Sequence, residues 1–537
     1  MASRDLPKSV GQFAWGWTHH LRDEITWNKS KQELIDNDLQ PDEVEKQHKV
    51  KMKNLWPAFC AGAGLFSDGY VNNSIGTVSY ALKTIYGKTY TNSNAISNIS
   101  SIAFVGTVVG QLSFGYISDR IARKGGMMAA NIILILFTIL CAAATWGAHG
   151  SPQGLFAALT TFRFFLGIGI GAEYPTASVI ASEFANQLPA GKRNRYFNWF
   201  TNTMIDFGFV VSAFVPLVLL WIFSKRHLTA VWRMTLGLGA IPPISLFFMR
   251  LKMADSDSFQ KLNMKKVKKY PYWLIFKFYW FRLTIISLIW FIYDFSAYAF
   301  GIYSSFIIGS IIPDGDIYKT WGWNVVFNLF YMPGALLGAL AADYIGPRLT
   351  LFIGVGLQGV IGFIMAGLYP HLKHHVGAFV VVYGIFTTLG EFGPGDNIGL
   401  LASKTSATPI RGQYYGIAAA IGKIGAFVGT WVFPVIIKNA GGSDTDSGNQ
   451  APFYVSSALC IFSAVLALLF LPGVGQDAIN KEDADFVQFL KDNGYDTAQL
   501  GNGEVVETTS VDFSDDLKNK KSPDNTNVEE RSLASYN

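Results

Sequence analysis

Three acidic residues in the first half of the chain lie within apolar sequence, and each has an acidic counterpart about 225 positions later. The three pairs are Asp68 with Asp294, Asp119 with Asp343, and Glu173 with Asp396. A carboxylate at the depth of a bilayer is costly, so such residues usually face a water-filled path and mark the route of ions or small solutes. Their duplication predicts two similar helical bundles that meet around a central site.

Asp294 has the most informative neighbours of the six. Trp290 lies four residues before it and Tyr298 four residues after it in WFIYDFSAY. On a helix these three side chains share one face, which gives a carboxylate bracketed by two aromatic rings with polar ends. This face could line a solute cavity, or Asp294 could be one half of a buried structural ion pair.

The elements that must position these residues are long apolar helices. Of the 537 residues, 50% are hydrophobic and 15% are charged, whereas a soluble globular domain carries roughly 25% charged residues. Apolar segments long enough to cross a hydrocarbon core of about 30 Å recur along the chain. Twelve are predicted, at 54–82, 95–118, 126–147, 155–182, 196–223, 230–250, 283–310, 323–343, 349–369, 376–403, 411–437 and 452–472. We therefore predict an all-α membrane protein with twelve transmembrane helices in two pseudo-symmetric six-helix bundles, of which segments five and ten are the least regular.

Basic residues divide the loops between the two sides of the membrane. They cluster after segments two and four and most densely at 250–282, whereas the alternate loops hold fewer. This bias predicts that both termini and the central loop are cytoplasmic. The predicted units are an N-terminal tail at 1–53, a first bundle at 54–250, a basic linker at 251–282, a second bundle at 283–472 and a C-terminal tail at 473–537 with a disordered far end. No nucleic-acid partner is expected, because the basic stretch follows a membrane segment and lacks a binding module.

A short motif recurs between the second and third segments of each half. The first copy consists of Gly115, Asp119, Arg120, Arg123 and Lys124, and the second retains Asp343, Gly346 and Arg348. A carboxylate in such a turn can pair with cations and with the N-terminal end of a neighbouring helix. The motif resembles the gating loop of the major facilitator superfamily, whose fold the chain is then expected to adopt. Tyr344 and Pro347 stand where that family commonly has basic residues, a departure that bears on the strength of the gating contact.

Further motifs narrow the resemblance. RFFLGIGIGAEYPTAS, SDGYVNN, WFIYDFSAY and FGPGDNIG together resemble the phosphate:proton symporter branch of that superfamily. Within the branch, FSDGYVN, GAEYPT, FKFYW, GPGD, SATPIRGQYYG and GKIGA look like the fungal glycerophosphodiester permeases, over roughly residues 54–495. The sugar-porter branch is disfavoured, because MRLKMADSDS stands where it carries an acidic-Ser-Pro-Arg sequence.

The resemblance assigns Lys423, in AAAIGKIGAFVGTW, to phosphate binding. A cation is what a phosphodiester needs on entering a low dielectric, and Lys423 can pair with Asp294 when the site is empty. The alternative, snorkelling of the ammonium to an interface, is hard from the middle of a segment. Tyr174 matches a substrate-contacting tyrosine of the phosphate branch, whose phenol can donate to a phosphate oxygen.

The resemblance also assigns proton translocation to Asp68 and Glu173. Burial in a membrane disfavours the charged carboxylate, so protonation near neutral pH becomes feasible. Each residue could instead be the permanently charged partner of a neighbouring base such as Arg163.

The head group of the expected substrate rests on fewer signals. The phosphate branch carries an asparagine after the Gly-Pro of segment ten, whereas this chain has Gly395 followed by Asp396, which would leave room for a larger substrate. Glu391 and Asp396 could form an acidic aromatic pocket for a quaternary ammonium, with cation–π contacts worth roughly 0.5–2 kcal/mol each. The aromatic candidates are Trp290, Tyr298, Phe300, Tyr303 and Trp431. These rings could equally well pack in the protein core. The preference for choline over inositol depends on this pocket alone.

The expected function is therefore a plasma-membrane proton symporter that imports glycerophosphodiesters, glycerophosphocholine first and glycerophosphoinositol second. Its expected partners are the substrate, protons and the lipid bilayer, and it needs no cofactor or metal. Two alternatives stay open: an inorganic phosphate symporter of the same branch, and a nutrient sensor that binds but barely transports. An enzyme is not expected, because the glycines form no phosphate-binding loop and no Ser/His/Asp arrangement is apparent.

Overall fold

The computed structural model describes residues 52–186, 188, 191–253, 256–312, 315–476 and 478–501. Nearly all of the predicted N-terminal tail and the far end of the C-terminal tail, from 502 onwards, therefore lie outside the described residues. Eleven helices of the described chain are long and apolar enough to cross a membrane. A further helix before them is interrupted, and with it the twelve-helix architecture predicted from the sequence is confirmed.

The first half contains six helical spans. The first, α1, consists of Met52–Gly62, the 3-10 turn Ala63–Leu65 and Phe66–Tyr86. The next five are α2 (Ala95–Arg120), α3 (Arg123–Ala142), α4 (Pro152–Asn186), α5 (Arg193–Phe223) and α6 (Lys225–Arg250). Large apolar side chains such as Trp221, Ile222 and Phe248 are exposed on the outside of this half. In a soluble protein such a surface would be a liability, whereas here it matches the lipid.

The second half repeats the pattern. Its spans are α7 (Tyr272–Ile311), α8 (Ile317–Tyr344), α9 (Pro347–Leu372), α10 (Val376–Lys404), α11 (Thr408–Asn439) and α12 (Asp446–Phe470). A last helix, α13 (Ala478–Asp492), follows the spans, and its Phe486 and Leu490 are buried. One boundary thus differs from the prediction, because α7 begins at Tyr272, inside the stretch assigned to the linker. The helix α13 lies within the predicted C-terminal tail, before its far end.

Breaks in four of the spans lie close to the predicted site residues. Wide π-helical turns occupy Tyr174–Ser178 in α4 and Glu391–Gly395 in α10, and each contains a proline. Proline has no N–H to donate to the preceding turn, so the helix must open locally. In α5 the helix is interrupted at Thr201, between Arg193–Phe200 and Asn202–Phe223. Interruptions were expected in segments five and ten, whereas those in α1 and α4 were not.

Glycines bring α11 against α7. A Cβ on Gly425 or Gly429 would overlap the carbonyl oxygens of Phe291 and Phe295 on α7. Small residues spaced four apart let two membrane helices approach closely. This contact sets the distance between Lys423 on α11 and Asp294 on α7.

Candidate functional site

A cavity with about 740 Å³ of space between atoms lies between the two halves. Helices α1, α4 and α5 line it from the first half, and α7, α8, α10 and α11 from the second. All seven residues predicted to bind substrate lie on its wall: Tyr174, Trp290, Asp294, Tyr298, Glu391, Asp396 and Lys423. The two residues predicted to carry protons, Asp68 and Glu173, lie behind the wall.

Lys423 lies at the centre of one group of charges. Its Nζ is 3.3 Å from Asp294 Oδ2 on α7 and 3.9 Å from Asp68 Oδ2 on α1, and all three side chains are buried. The same Nζ donates a hydrogen bond to the Tyr298 hydroxyl and lies 3.9 Å from the centre of that ring. One cation is therefore shared by two carboxylates, one from each half.

Asp68 is held by groups of both halves as well. It accepts hydrogen bonds from the Tyr174 hydroxyl and from Asn72 Nδ2, and Tyr298 Oη lies 3.3 Å from Asp68 Oδ2. Tyr174 and Tyr298 thus bracket the space between Asp68 and Lys423. Both hydroxyls would be available to an anion if the carboxylate gave up its place.

Glu173 occupies a different environment. Its two carboxylate oxygens accept hydrogen bonds of 2.7 and 2.8 Å from Arg250 on α6. Arg250 also donates to the carbonyl oxygens of Cys60 and Ala61, so it joins α6 to α1. The suggested partner Arg163 is wrong: its Nε donates instead to the Ile99 carbonyl at 2.8 Å.

A second group of carboxylates lies at the other end of the cavity wall. Asn202 Nδ2 on α5 is 3.3 Å from Asp206 Oδ2, 3.2 Å from Glu391 Oε2 and 3.1 Å from Asp396 Oδ1. Tyr293 donates a further hydrogen bond of 2.7 Å to Glu391 Oε1. We call Asp206, Glu391 and Asp396 the carboxylate cluster. The two halves of the molecule both contribute to it.

Sequence reasoning missed Asp206 and Asn202. Asp206 stands in NTMIDFGF, an acidic residue inside an apolar segment, which is itself a signal. Asp206 has no acidic counterpart about 225 positions later, and it lies outside the motifs that carry the family resemblance.

The glycine of segment ten has a different role from the one expected. A Cβ on Gly395 would overlap the Glu391 carboxylate and lie 2.7 Å from the Tyr293 hydroxyl oxygen. The space freed by this glycine is therefore occupied by two side chains of the protein. Gly395 allows Glu391 to meet Tyr293, and it lies on the cavity wall itself, so the room for a larger substrate stays a prediction.

The aromatic wall also differs from the prediction. Trp290 and Tyr298 line the cavity, whereas Phe300 packs against Phe453 and Tyr303 against Phe433 within the second half. Trp431 is exposed on the outer surface. Besides Tyr174, the rings that complete the wall are Phe197, Phe209, Tyr293, Tyr331 and Tyr415.

The two motif aspartates bind helix ends of the opposite half. Asp119 accepts hydrogen bonds from the backbone N–H groups of Gly412 (2.9 Å) and Gln413 (2.7 Å), in the first turn of α11. Asp343 accepts one from the backbone N–H of Asn194 (3.2 Å), in the first turn of α5, and another from Arg195. A carboxylate at a helix N-terminus is stabilised by the free N–H groups and the helix dipole. Both contacts lie on the side of the molecule where the linker joins the two halves. We call this side the linker face.

The other motif residues surround these contacts. Gly115 lets α2 approach α11, because a Cβ there would lie 2.8 Å from the Gly412 carbonyl oxygen. Arg123 pairs with Glu183 on α4, which also accepts a 3.1 Å bond from Arg411 on α11. The remaining two arginines bind backbone carbonyls, Arg120 that of Met264 and Arg348 that of Leu471.

Contacts at the opposite face also join the halves. Asn73 Nδ2 donates to Asn328 Oδ1 at 2.8 Å, and the rings of Tyr80 and Phe306 meet edge to face at 5.4 Å. The cavity is therefore bounded on both sides by contacts between the two halves. The linker face carries buried ion pairs, whereas the contacts named at the opposite face are uncharged.

Two six-helix halves around a cavity lined by buried charges and aromatic rings define a membrane transporter of the major facilitator fold. The solved structure of the proton:xylose symporter XylE of E. coli, bound to 6-bromo-6-deoxy-D-glucose, has the same fold. It matches 81% of this chain and 98% of that one with a TM-score of 0.68, at 15% sequence identity.

The chain belongs to the sugar (and other) transporter family, whose model matches residues 55–270 and 260–477. Its sequence is similar to three proteins of Candida albicans. These are the glycerophosphodiester transporter GIT2 (67% identity, 95% of this chain and 96% of that one), the major glycerophosphoinositol permease GIT3 (66%, 98% and 98%) and the glycerophosphocholine permease GIT4 (63%, 99% and 100%). The resemblance drawn from the sequence motifs is confirmed.

Proposed function

We propose that this protein is a proton-coupled symporter that imports glycerophosphodiesters by alternating access, with glycerophosphocholine favoured and glycerophosphoinositol also accepted. Three relatives at 63–67% identity bear names in this substrate class and support it. Those names divide between the two head groups, so the preference for choline rests on the chemistry of the cavity alone.

The observation that carries the proposal is the position of Lys423. It is the only cationic side chain among the described residues that line the cavity, and two carboxylates compete for it. A phosphodiester anion would take the place of one carboxylate beside Nζ and accept hydrogen bonds from Tyr298 and Tyr174. A buried cation is costly without a partner, so the exchange keeps it paired throughout.

This exchange gives a physical reason for coupling to protons. Protonation of Asp68 would remove one negative charge from Lys423 and free the ammonium for the phosphate. Glu173 would act at a distance, because its protonation releases Arg250 and with it the contact between α6 and α1. One proton that crosses a potential of 100 mV supplies about 2.3 kcal/mol, enough to accumulate a substrate of zero net charge.

The proposed cycle breaks the two sets of contacts between the halves in turn. Opening to the linker face requires Asp119 and Asp343 to leave the ends of α11 and α5, and opening to the other face requires Asn73 to leave Asn328. We propose that the linker face is cytoplasmic in the plasma membrane, with both termini on that side, because the basic loops lie there. The halves that move would be 54–250 and 272–472, joined by the linker at 251–271.

Uptake of radiolabelled glycerophosphocholine, glycerophosphoinositol and phosphate tests the proposal, in cells without such carriers and with or without a protonophore. We expect concentrative uptake of a phosphodiester that the protonophore abolishes and that excess phosphate inhibits weakly. Concentrative uptake of phosphate alone would favour the phosphate symporter. Binding of a phosphodiester without uptake would favour the sensor.

A further inference from the structure

The three acids of the carboxylate cluster compete for one side-chain amide. One side-chain amide, Asn202 Nδ2, lies 3.1–3.3 Å from an oxygen of each of its three acids. An amide nitrogen carries two hydrogens, so it can satisfy at most two of those oxygens. The third contact leaves two electronegative atoms together without a proton, unless a carboxyl group supplies one.

Asp206 gives an independent sign that the cluster can accept a proton or a cation. It is fully buried, and its Oδ1 has no hydrogen-bond partner although it belongs to the wall of the cavity. A buried carboxylate oxygen without a partner pays the full cost of lost hydration. Asp206 Oδ1 is therefore a buried acceptor on a residue of the cavity wall, which a proton or a cationic group could satisfy.

Among the residues that the structure describes, no cation forms an ion pair with the cluster. The ionisable groups around it are Tyr293 and Asp294 on α7, Tyr331 on α8 and Lys423 on α11. Lys423 is already shared between Asp294 and Asp68. Three carboxylates around one amide nitrogen in a desolvated site cannot all stay ionised. Repulsion between like charges forces at least one of them to hold a proton.

We propose that Asp206, Glu391 and Asp396 form one charge-compensated site that binds either protons or the cationic head group of a phosphodiester, so that a quaternary ammonium replaces one proton. The inference rests on the proposed function, since it requires a phosphodiester whose phosphate lies near Lys423. Trp290 and Tyr293, on the same wall, offer aromatic faces that suit a quaternary ammonium.

The replacement has a consequence for coupling. A substrate with a cationic head group brings its own positive charge to the cluster and carries one proton fewer than a substrate with an uncharged head group. The phosphate contributes the same negative charge in both, so the net charge moved in each cycle is the same. Protons per substrate would therefore differ while electrogenicity would not.

The test compares glycerophosphocholine with an isostere whose head group is uncharged, the 3,3-dimethylbutyl phosphodiester of glycerol. Both ligands carry the same phosphate charge. Each ligand is titrated into the full chain in lipid nanodiscs. Calorimetry in buffers of different ionisation enthalpy then counts the protons exchanged on binding. We expect about one proton fewer to be taken up with glycerophosphocholine. We also expect its affinity, relative to the isostere, to rise by up to tenfold for each unit of pH over the range in which the cluster is protonated.

The wild-type protein decides the inference without any variant. Equal proton counts for the two ligands would overturn it while leaving the proposed function intact, whereas failure of both ligands to bind would overturn the two together. Asp206→Asn should reduce the difference in proton count between the two ligands. Asp206→Glu, which keeps the carboxylate, should retain the wild-type difference. Asp446→Asn is the matched control, because Asp446 pairs with Lys373 far from the cavity and should leave the difference unchanged. A full difference in Asp206→Asn and in Glu391→Gln would place the exchange elsewhere and reject the cluster.

Discussion

Lys423 Nζ on α11 lies 3.3 Å from Asp294 Oδ2 on α7, and Asp68 of the opposite half lies 3.9 Å from the same nitrogen. The ion pair within the second half, Lys423 with Asp294, is thus shorter than the ion pair between the halves, Lys423 with Asp68. A substrate anion that takes the place of Asp68 would change the contact between the halves without unpairing Lys423 from Asp294. Under the proposed function, substrate binding and the relative movement of the halves would be linked through this one ammonium group.

Lys423→Ala should weaken transport of every phosphodiester, and of phosphate wherever it is accepted, because the anion is the shared group. Truncating one partner of a buried charge pair between a protein and its ligand costs about 2–5 kcal/mol of affinity, so KM should rise well over tenfold. Radiolabelled uptake normalised to surface expression measures the effect. The matched control is Lys438→Ala, at the end of α11 outside the cavity, which should transport normally. Loss of one head-group class alone would show that Lys423 does not contact the phosphate.

Asp68→Asn should abolish accumulation driven by a pH gradient and leave exchange of labelled for unlabelled substrate across the membrane intact. The amide can still accept the hydrogen bond from Tyr174, so the geometry persists while the titratable group is lost. Counterflow in proteoliposomes separates exchange from accumulation. Wild-type accumulation in this variant would remove Asp68 from the proton route.

Glu173→Gln should also abolish accumulation driven by a pH gradient while leaving surface expression intact. It should differ from Asp68→Asn in stability, because it leaves Arg250 buried with no carboxylate partner. The loss of an ion-pair partner costs about 3–5 kcal/mol, so its melting temperature in detergent should fall clearly below that of Asp68→Asn. If Glu173→Gln melts lower yet accumulates substrate like the wild type, Glu173 is structural.

The fold followed from the sequence because apolar runs of about 20 residues are a strong signal, and the spans α2, α9 and α10 lie close to their predicted bounds. The break at Ala63–Leu65 and the π turn at Tyr174–Ser178 were not expected. Their causes are local packing and one proline, which leave the hydropathy unchanged. Helical geometry could have excluded Tyr303 from the cavity, since nine residues at about 100° each place it opposite Asp294.

The site was less accessible to prediction than the fold. A search for duplicated acids found Asp294 and Asp396, because both halves of the molecule place an acid at the same depth. It could not find Asp206, whose role depends on packing against the other half. The pairing of Glu173 with Arg250 joins residues 77 positions apart, and only the tertiary structure could choose Arg250 over Arg163.

Asp119→Asn and Asp343→Asn should each favour opening at the linker face. Loss of a carboxylate from a helix N-terminus costs about 0.3–1 kcal/mol, and up to about 2 kcal/mol when partly buried, which increases the open population by up to about thirtyfold. Spin labels at Ile121 and Ala484, both exposed, report the distance across this face, and the three native cysteines are buried. Asp446→Asn is the control at the opposite end. An unchanged distance distribution in both variants would show that these contacts do not hold the face closed.

Glu391→Gln tests the choice of head group. Glu391 accepts hydrogen bonds from Tyr293 (2.7 Å) and Asn202 (3.2 Å), and glutamine can keep the first of these while losing the charge. If the carboxylate faces a cationic head group in this partly desolvated pocket, its neutralisation should cost on the order of 1–3 kcal/mol. Glycerophosphocholine uptake should then fall roughly tenfold or more while glycerophosphoinositol uptake is spared, because inositol has no charge to pair with Glu391. Lys423→Ala provides the contrast, since it should reduce both substrates alike. Equal loss of both substrates in Glu391→Gln would make Glu391 a structural or proton-coupling residue, and the preference for choline would then have no support in the cavity.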